Sequence, residues 1–458
     1  MIRAHSVAQV RAAEQPLLDA GVPLMARAST GLAVAVARRL PYVYGARVVV
    51  LVGSGNNGAD ALWAGAWLAH RGAAVVAVLH ATPVADAFDG FLRAGGRVGT
   101  AAALDGAEVV LDGLVGIGGR GPLRTPAPSF DVPLVVAVDV PSGIDSDTGQ
   151  VHDGAVRADL TVTFGTWKPG LLLARSHVGE VELVEIGLDL PEARVEVLEA
   201  DDVERLLPAA GPTSDKYTRG VVGIAAGSAS YSGAALLAVG AAVRAGSGMV
   251  RYAGHAAAVV RARWPEAVVT DEVADAGRVQ AWVVGPGLGT DAVKTVEQVL
   301  ASDVPVLVDA DALTVCAEHP ALLRHRTAPT LLTPHDREFA RFGAEVGPDR
   351  IGSARRLATE LGVHVLLKGD ATVVVGPDGP ARVNPTGSPL LATAGTGDVL
   401  AGGVGSLLAQ GLSPLDAGSV GAWLHGLAAV LSEGGVATSA GQVLEAWPSA
   451  VRAVGLRD

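Results

Sequence analysis

The apolar positions of this chain fall into short, fully hydrophobic runs separated by alanine-rich stretches with helical spacing. In the first part the runs are RVVVLV (47–52), AVVAVL (74–79), AEVVL (107–111), PLVVAV (133–138), LTVTF (160–164) and EVELVEI (180–186). Runs of this length, rich in β-branched residues and apolar on both faces, predict strands of a parallel sheet covered on each side. Helical spacing over 6–20 and 22–39 predicts two helices ahead of the first strand. From about residue 187 the pattern loosens into a turn-rich, mixed-charge segment, which predicts a domain boundary near 200–215. A second series follows: VVGIAA (221–226), MVRYA (249–253), AVVT (267–270), AWVV (281–284), PVLVDA (305–310), TLLT (330–333), HVLLK (364–368) and TVVVG (372–376). Two helical stretches, about 397–410 and 414–433, close the chain. The expectation is an α/β protein of two domains, residues 1–204 and 205–458, each a sheet layered with helices, and no shared motif order marks them as a duplication.

Polar residues gather where the strands of the first domain end. GSGNNGAD (53–60) satisfies GxGxxG, yet the next strand ends VLHATP without the acid that an ordinary dinucleotide site uses on its ribose. Further loops follow other strands: DGLVGIGGRGP (112–122), DVPSGIDSDTG (139–149) and GTWKPG (165–170). Open parallel sheets bind ligands at that edge. Asn56, Asn57, Asp112, Asp139 and Ser142 offer a donor and acceptor set for a hydrated ring or ribose phosphate, and Asn57, Asp112 and Ser142 offer oxygens to a hard cation. The glycines of 116–122 leave backbone amides open to phosphate. Each feature also has a structural reading: turn asparagines, aspartates capping the next helix, and a lysine covering a rim.

In the second domain the strongest signal is GTGD (395–398) at a helix start. Free N–H groups and the helix dipole favour an anion there, and Asp398 is placed to accept the proton of a hydroxyl attacking a phosphoryl group. The structural alternative is a first-turn carboxylate facing the dipole. No GxxxxGK[ST] occurs, so a P-loop is excluded. KGDAT (368–372), GSASYSGA (227–234), GPGLG (285–289), DADAL (309–313) and TPHDRE (333–338) each follow a strand. His335 in the last reads equally as a hydrogen-bonded loop histidine.

Composition narrows the classes. With 47 acidic and 35 basic residues, net charge −12 and no basic run, a nucleic-acid or anionic-membrane binder is disfavoured. A single cysteine, Cys316, excludes an intrachain disulfide framework and reads as a small buried apolar residue. No run approaches the roughly 20 apolar residues of a membrane span, and MIRAHSVAQVRAAEQ, interrupted by Arg3, Arg11 and Glu14, does not resemble a signal peptide. A cytoplasmic protein is expected. Lys168, Lys216, Lys294 and Lys368 are the only lysines, so arginine supplies generic surface charge and a lysine in a motif is notable. Lys294 reads as solvated.

The GNNG-D turn, the D-x-L-x-G-x-G loop and DVPSG-x-D together resemble the NAD(P)HX epimerase domain of the NAD(P)H-hydrate repair proteins, over about residues 1–200. The resemblance implies a Rossmann-like three-layer sandwich. It also implies that Asn56, Asn57, Gly58, Ala59, Asp60, Gly116, Ile117, Gly118, Gly119, Arg120, Gly121, Pro122 and Asp139 line the hydrated-nucleotide site. Asn57, Asp112 and Ser142 would hold potassium, and Asp139 with Lys168 would carry the acid and base chemistry. The family turn usually reads GNNGGDG, so Ala59 and Ala61 each add a methyl here. From residue 205 onward, GS-x-x-Y-SGA, GPGLG, D-x-DAL, TPH-x-x-E, KG-x-x-T and TGD resemble the ribokinase-like ADP/ATP-dependent NAD(P)HX dehydratases. By position Ala234, Gly287 or Gly289, His335 and Asp398 then meet the hydrated nucleotide, while Lys368, Gly369, Asp370, Ala371, Thr372 and Gly397 meet ADP or ATP carried with magnesium. The family form N-x-TGN-P reads NPTGSP at 384–389, with Ser388 in place of asparagine. The likeness implies epimerisation of the R and S hydrates, dehydration of the S form, small-molecule partners only, and a homo-oligomer. The rival readings are a ribokinase-like kinase of a small alcohol and a first domain reduced to a nucleotide-binding module.

Overall fold

The computed structural model describes residues 1–124, 131–289, 292–432 and 439–455. They form two compact units, Arg3–Val195 and Glu196–Asp458 together with the first two residues. The division precedes the composition shift at 204/205 because Leu198 and Val203 already pack into the core of the second unit.

In the first unit seven strands, β1 (Arg47–Val52), β2 (Ala74–Leu79), β3 (Arg97–Gly99), β4 (Val109–Gly113), β5 (Leu134–Val138), β6 (Leu160–Phe164) and β7 (Glu180–Val184), pair in the order β3-β2-β1-β4-β5-β6-β7. Every pairing is parallel. Along β1 the side chains alternate: Val48, Val50 and Val52 pack under the helices α2 (Leu24–Arg39) and α3 (Asn56–His70), while Val49 and Leu51 pack into a second cluster with Leu104 and Val110. Both faces are thus buried, which is why the strands read as unbroken apolar runs. The three-residue β3 escaped the sequence pattern because two of its residues are exposed. β4 lies two residues later than AEVVL, so Asp112 is inside the strand, opposite Leu51 of β1 and Ala137 of β5. The first helix, α1 (Val7–Asp19), starts at a capping box of Ser6 and Gln9.

The second unit carries β8 (Val221–Ala225), β9 (Met249–Ala253), β10 (Val268–Thr270), β11 (Ala281–Val284), β12 (Val306–Val308), β13 (Thr330–Leu332), β14 (His364–Leu367), β15 (Val373–Val375) and β16 (Ala381–Val383). Their order is β16-β15-β14-β13-β12-β11-β8-β9-β10, parallel except that β15 is antiparallel to β14 and β16. One face is covered by Ser232–Arg244 and the closing helices Thr396–Ala409, Pro414–Leu431 and Ala440–Gly455. The last of these was missed in the sequence because Pro448 interrupts it. Its Val443, Trp447, Ala450 and Val454 nevertheless recur at helical spacing and are buried. Among the described residues no single helix is long and apolar enough to cross a membrane. Cys316 is fully buried, and burial pushes its thiol up to about 12.

Candidate functional site

In each sheet the strand order reverses once, and the loops on either side of the reversal meet. In the first unit these are the loops after β1 and β4, joined where Gly53 N–H donates to Gly113 O at 3.1 Å. Gly58 belongs to this packing, since a Cβ there would collide with Gly53 O. Around them opens a cavity of about 460 Å³, lined by Asn56, Asn57, Asp60, Gly116, Ile117, Gly118, Asp139 and Lys168 among the residues expected from sequence. Gly58, Ala59, Gly119, Arg120, Gly121 and Pro122 are not in its wall. Ala59 and Ala61, in the first turns of α3, are fully buried in the core and are not in the cavity wall.

Asp139 follows β5 with φ 67, one of only two non-glycine residues with positive φ among the described residues. That conformation is held because its Oδ1 is the focus of three donors: Lys168 Nζ at 2.5 Å, Thr163 Oγ1 at 3.1 Å and Phe164 N–H at 3.4 Å. Lys168, 1% exposed, gives its remaining hydrogens to Thr163 Oγ1 and Phe164 O, both at 2.9 Å. Beneath the cavity Asp112 accepts from Ser142 Oγ at 2.7 Å, Ser142 N–H at 2.8 Å and Leu114 N–H at 3.3 Å. Burial raises its carboxyl to about 6 against the pull of these donors. Asn57 Oδ1 stands over the same loop, 2.6 Å from where a Cβ on Gly116 would lie, and its Nδ2 has no partner. Asp112 and Ser142 are thus in direct contact, and Asn57 stands over the adjoining loop.

Sequence reasoning missed the opposite wall: Arg11, Glu14, Leu18, Leu24, Met25 and Ala28, from α1 and α2. The only signal was Arg11 and Glu14 interrupting an apolar helical pattern. Burial and the nearby Asp139 raise the Glu14 carboxyl, and burial, Asp139 and Glu14 raise Asp60 well above the carboxylate range.

In the second unit the loops after β8 and β11 meet in the same way, with Gly227 N–H donating to Pro286 O at 2.7 Å. A Cβ on Gly287 would come within 2.7 Å of Ala234 Cβ, and Gly289 N–H donates to Asp311 Oδ2 at 2.8 Å, so three motifs converge. Ala310, φ 49, is the other strained residue and sets Asp309 and Asp311 to either side of it. Lys368 Nζ contacts Asp309 Oδ1 at 2.8 Å and Glu338 Oε2 at 3.5 Å, and these carboxylates raise it against the cost of burial. Thr333 Oγ1 also donates to Asp309, at 2.8 Å. Gly395, φ 89, turns the chain into the helix Thr396–Ala409, whose Gly397 would place a Cβ 3.7 Å from Lys368 Nζ. Asp398 stands in its first turn. Burial, then Asp309, raises Asp398 to about 7, with Lys368 opposing.

His335 caps the turn Asp336–Phe339, its Nδ1 accepting from Arg337 N–H at 3.1 Å and Glu338 N–H at 3.3 Å, with half of the ring exposed. Gly369 and Asp370 are exposed, whereas Ala371 is buried and Thr372 Oγ1 closes a turn onto Gly369 O at 3.1 Å. Ser388 caps the 3-10 turn Pro389–Leu391 through Leu390 N–H at 3.3 Å, which gives the substitution a local role. Lys294 is 75% exposed, as a solvated lysine should be.

Comparison with known proteins bears on both units. Residues 22–170 match the family described as YjeF-related protein N-terminus, and residues 222–446 match that described as NAD(P)H-hydrate dehydratase. The chain is 52% identical over 400 residues to a bifunctional NAD(P)H-hydrate repair enzyme of Mycobacterium tuberculosis, covering 82% of each. It is 50% identical over 396 residues to that of Mycobacterium leprae, again over 82% of each. A crystal structure of a ribokinase-like superfamily protein from Enterococcus faecalis is 25% identical with TM-score 0.53, over 59% of this chain and 99% of its own.

Proposed function

We propose the residue roles below from the premise that the chain belongs to the bifunctional NAD(P)H-hydrate repair enzymes. Its activity is repair of hydrated NADH and NADPH, by exchange of the R and S epimers in the first unit and dehydration in the second. The hydroxyl on C6 of the hydrated ring is a poor leaving group, and phosphorylation makes it a good one. Asp398 takes the hydroxyl proton as the oxygen attacks the terminal phosphoryl of ADP, or of ATP. The amides of Gly395–Asp398 and the Lys368 ammonium meet the transferred group. The transfer leaves AMP when the donor is ADP, and loss of phosphate from C6 together with a proton from C5 then restores the dihydropyridine. Gly369, Asp370 and Gly397 border the adenine nucleotide, and Ala234, Gly287 or Gly289 and His335 border the S hydrate.

The observation that carries this reading is the carboxylate Asp398, raised to about 7, at the open end of a helix beside the partly buried Lys368. A base poised near neutrality is what the step needs. Magnesium would come with the nucleotide phosphates, whose charge it would offset. In the first unit Asp139 is the acid/base, and Asn57, Asp112 and Ser142 would hold potassium, which would draw the 53–60 and 112–116 loops together. Cytoplasmic residence and a homo-oligomer complete the proposal; the single buried cysteine accords with a reducing compartment.

The test is incubation of mixed R and S hydrates with a potassium salt, magnesium and either ADP or ATP, following recovery of reduced-nicotinamide absorbance. Recovery with one nucleotide identifies the phosphoryl donor. No recovery with both overturns the dehydration reading.

A further inference from the structure

The cavity of the first unit raises a proton problem that the residues assigned so far leave unsolved. Resting on the epimerase reading, the reaction inverts C6, a carbon that bears both a hydroxyl and the ring nitrogen N1. Inversion by ring opening has a definite balance. A base removes the hydroxyl proton, C6=O forms as the C6–N1 bond breaks, and the electron pair left on N1 takes a proton from an acid. The aldehyde turns, N1 adds to its other face, and the two protons return. One base and one acid are therefore needed.

Asp139 fits the base. All the donors to it converge on Oδ1, which leaves Oδ2 for the substrate. Lys168 does not fit the acid. An ammonium has three hydrogens, and here they go to Asp139 Oδ1, Thr163 Oγ1 and Phe164 O in a site 1% exposed. Lys168 is thus a positioning residue that aims Asp139. Asp60 is also a poor donor, since its Oδ1 is shut away from solvent without a partner, so giving up its proton would leave an uncompensated buried charge. Arg11, the remaining charged group in the wall, does not give up its proton.

Glu14 remains. It projects from α1 into the wall facing Asp139, Lys168 and Asp60, and it is only half-buried, so its proton is replenished from water. We propose that Glu14 is the second catalytic residue of epimerisation, donating the proton that N1 takes up when the ring opens. Its surroundings keep it protonated further toward neutral pH than a surface glutamate: burial first, then Asp139, against Lys168 and Arg11.

The test uses the full-length protein and the two separated hydrates, with epimer exchange read chromatographically and ADP-dependent dehydration of the S form read on the same samples. Glu14→Gln is expected to lower the maximal exchange rate about 100-fold, with KM within about threefold and dehydration unchanged. The native rate should fall as pH rises past the point where Glu14 ionises. Glu14→Gln should lose that fall, and Glu14→Asp should recover part of the rate with it. Exchange within twofold of native in Glu14→Gln, or an unchanged pH profile, overturns the proposal. Asp139→Asn separates the levels: if it abolishes exchange while Glu14→Gln does not, the epimerase reading stands and only the role of Glu14 falls. If the native protein exchanges no epimers, both fall.

Discussion

Each unit stations a working carboxylate near a lysine, Asp139 at the end of a strand and Asp398 in the first turn of a helix, and the two are treated in opposite ways. In the first, Asp139 is tied at 2.5 Å to a lysine whose hydrogens are all spent. In the second, Lys368 is drawn to Asp309 and Glu338 instead, and Asp398 is left to rise to about 7. The difference follows the chemistry. A proton shuttle with no charged co-substrate needs its own counter-charge, whereas a base beside a phosphoryl donor must not hold the cation that the phosphates will use. Both sites store backbone strain next to the working carboxylates, at Asp139 and at Ala310.

The sharpest way to break the comparison is exchange of function between the two aspartates. Asp398→Asn should cut dehydration about 1000-fold and spare epimer exchange, while Asp139→Asn does the reverse; a variant that lost both activities would show that the units do not work independently. Next in size is Lys168→Met, which leaves a buried carboxylate without its partner. It should cost the first unit about 3 kcal/mol by denaturant titration, against a near-neutral effect for Lys294→Met. The third contrast is in pH. Dehydration needs ionised Asp398, so its rate should fall about tenfold per unit as pH drops below about 7. Stability runs the other way: with its folded pKa raised, Asp398 costs stability increasingly as pH climbs from the ordinary carboxylate range through about 7. Asp398→Asn should therefore melt higher than native at pH 8 and not at pH 4. The smallest effect is Ala59→Gly, about 1 kcal/mol of stability with KM for the hydrate unchanged, because the methyl lies in the core.

The motifs were legible because each sits in one loop. GSGNNGAD, DVPSG, GPGLG and KGDAT occupy the carboxyl ends of strands in the structure, and GTGD opens a helix. The wall contributed by α1 and α2 was not legible, since nothing local to Arg11 or Glu14 says that they face Asp139, more than a hundred residues away. The role given to Lys168 also depended on the fold. A lysine in a motif looks like a proton donor until its three acceptors are seen.

The sequence by itself determined most of the strands and helices, because β-branched runs and helical periodicity are read by a few neighbouring residues, and it marked which loops carry chemistry. Tertiary structure alone decided which loops meet, which oxygen of Asp139 is free, and why Asp398 rises to about 7. Strand order, side-chain direction and burial act between residues distant in the chain, and burial sets the energy of a charge only once the whole surrounding wall is assembled.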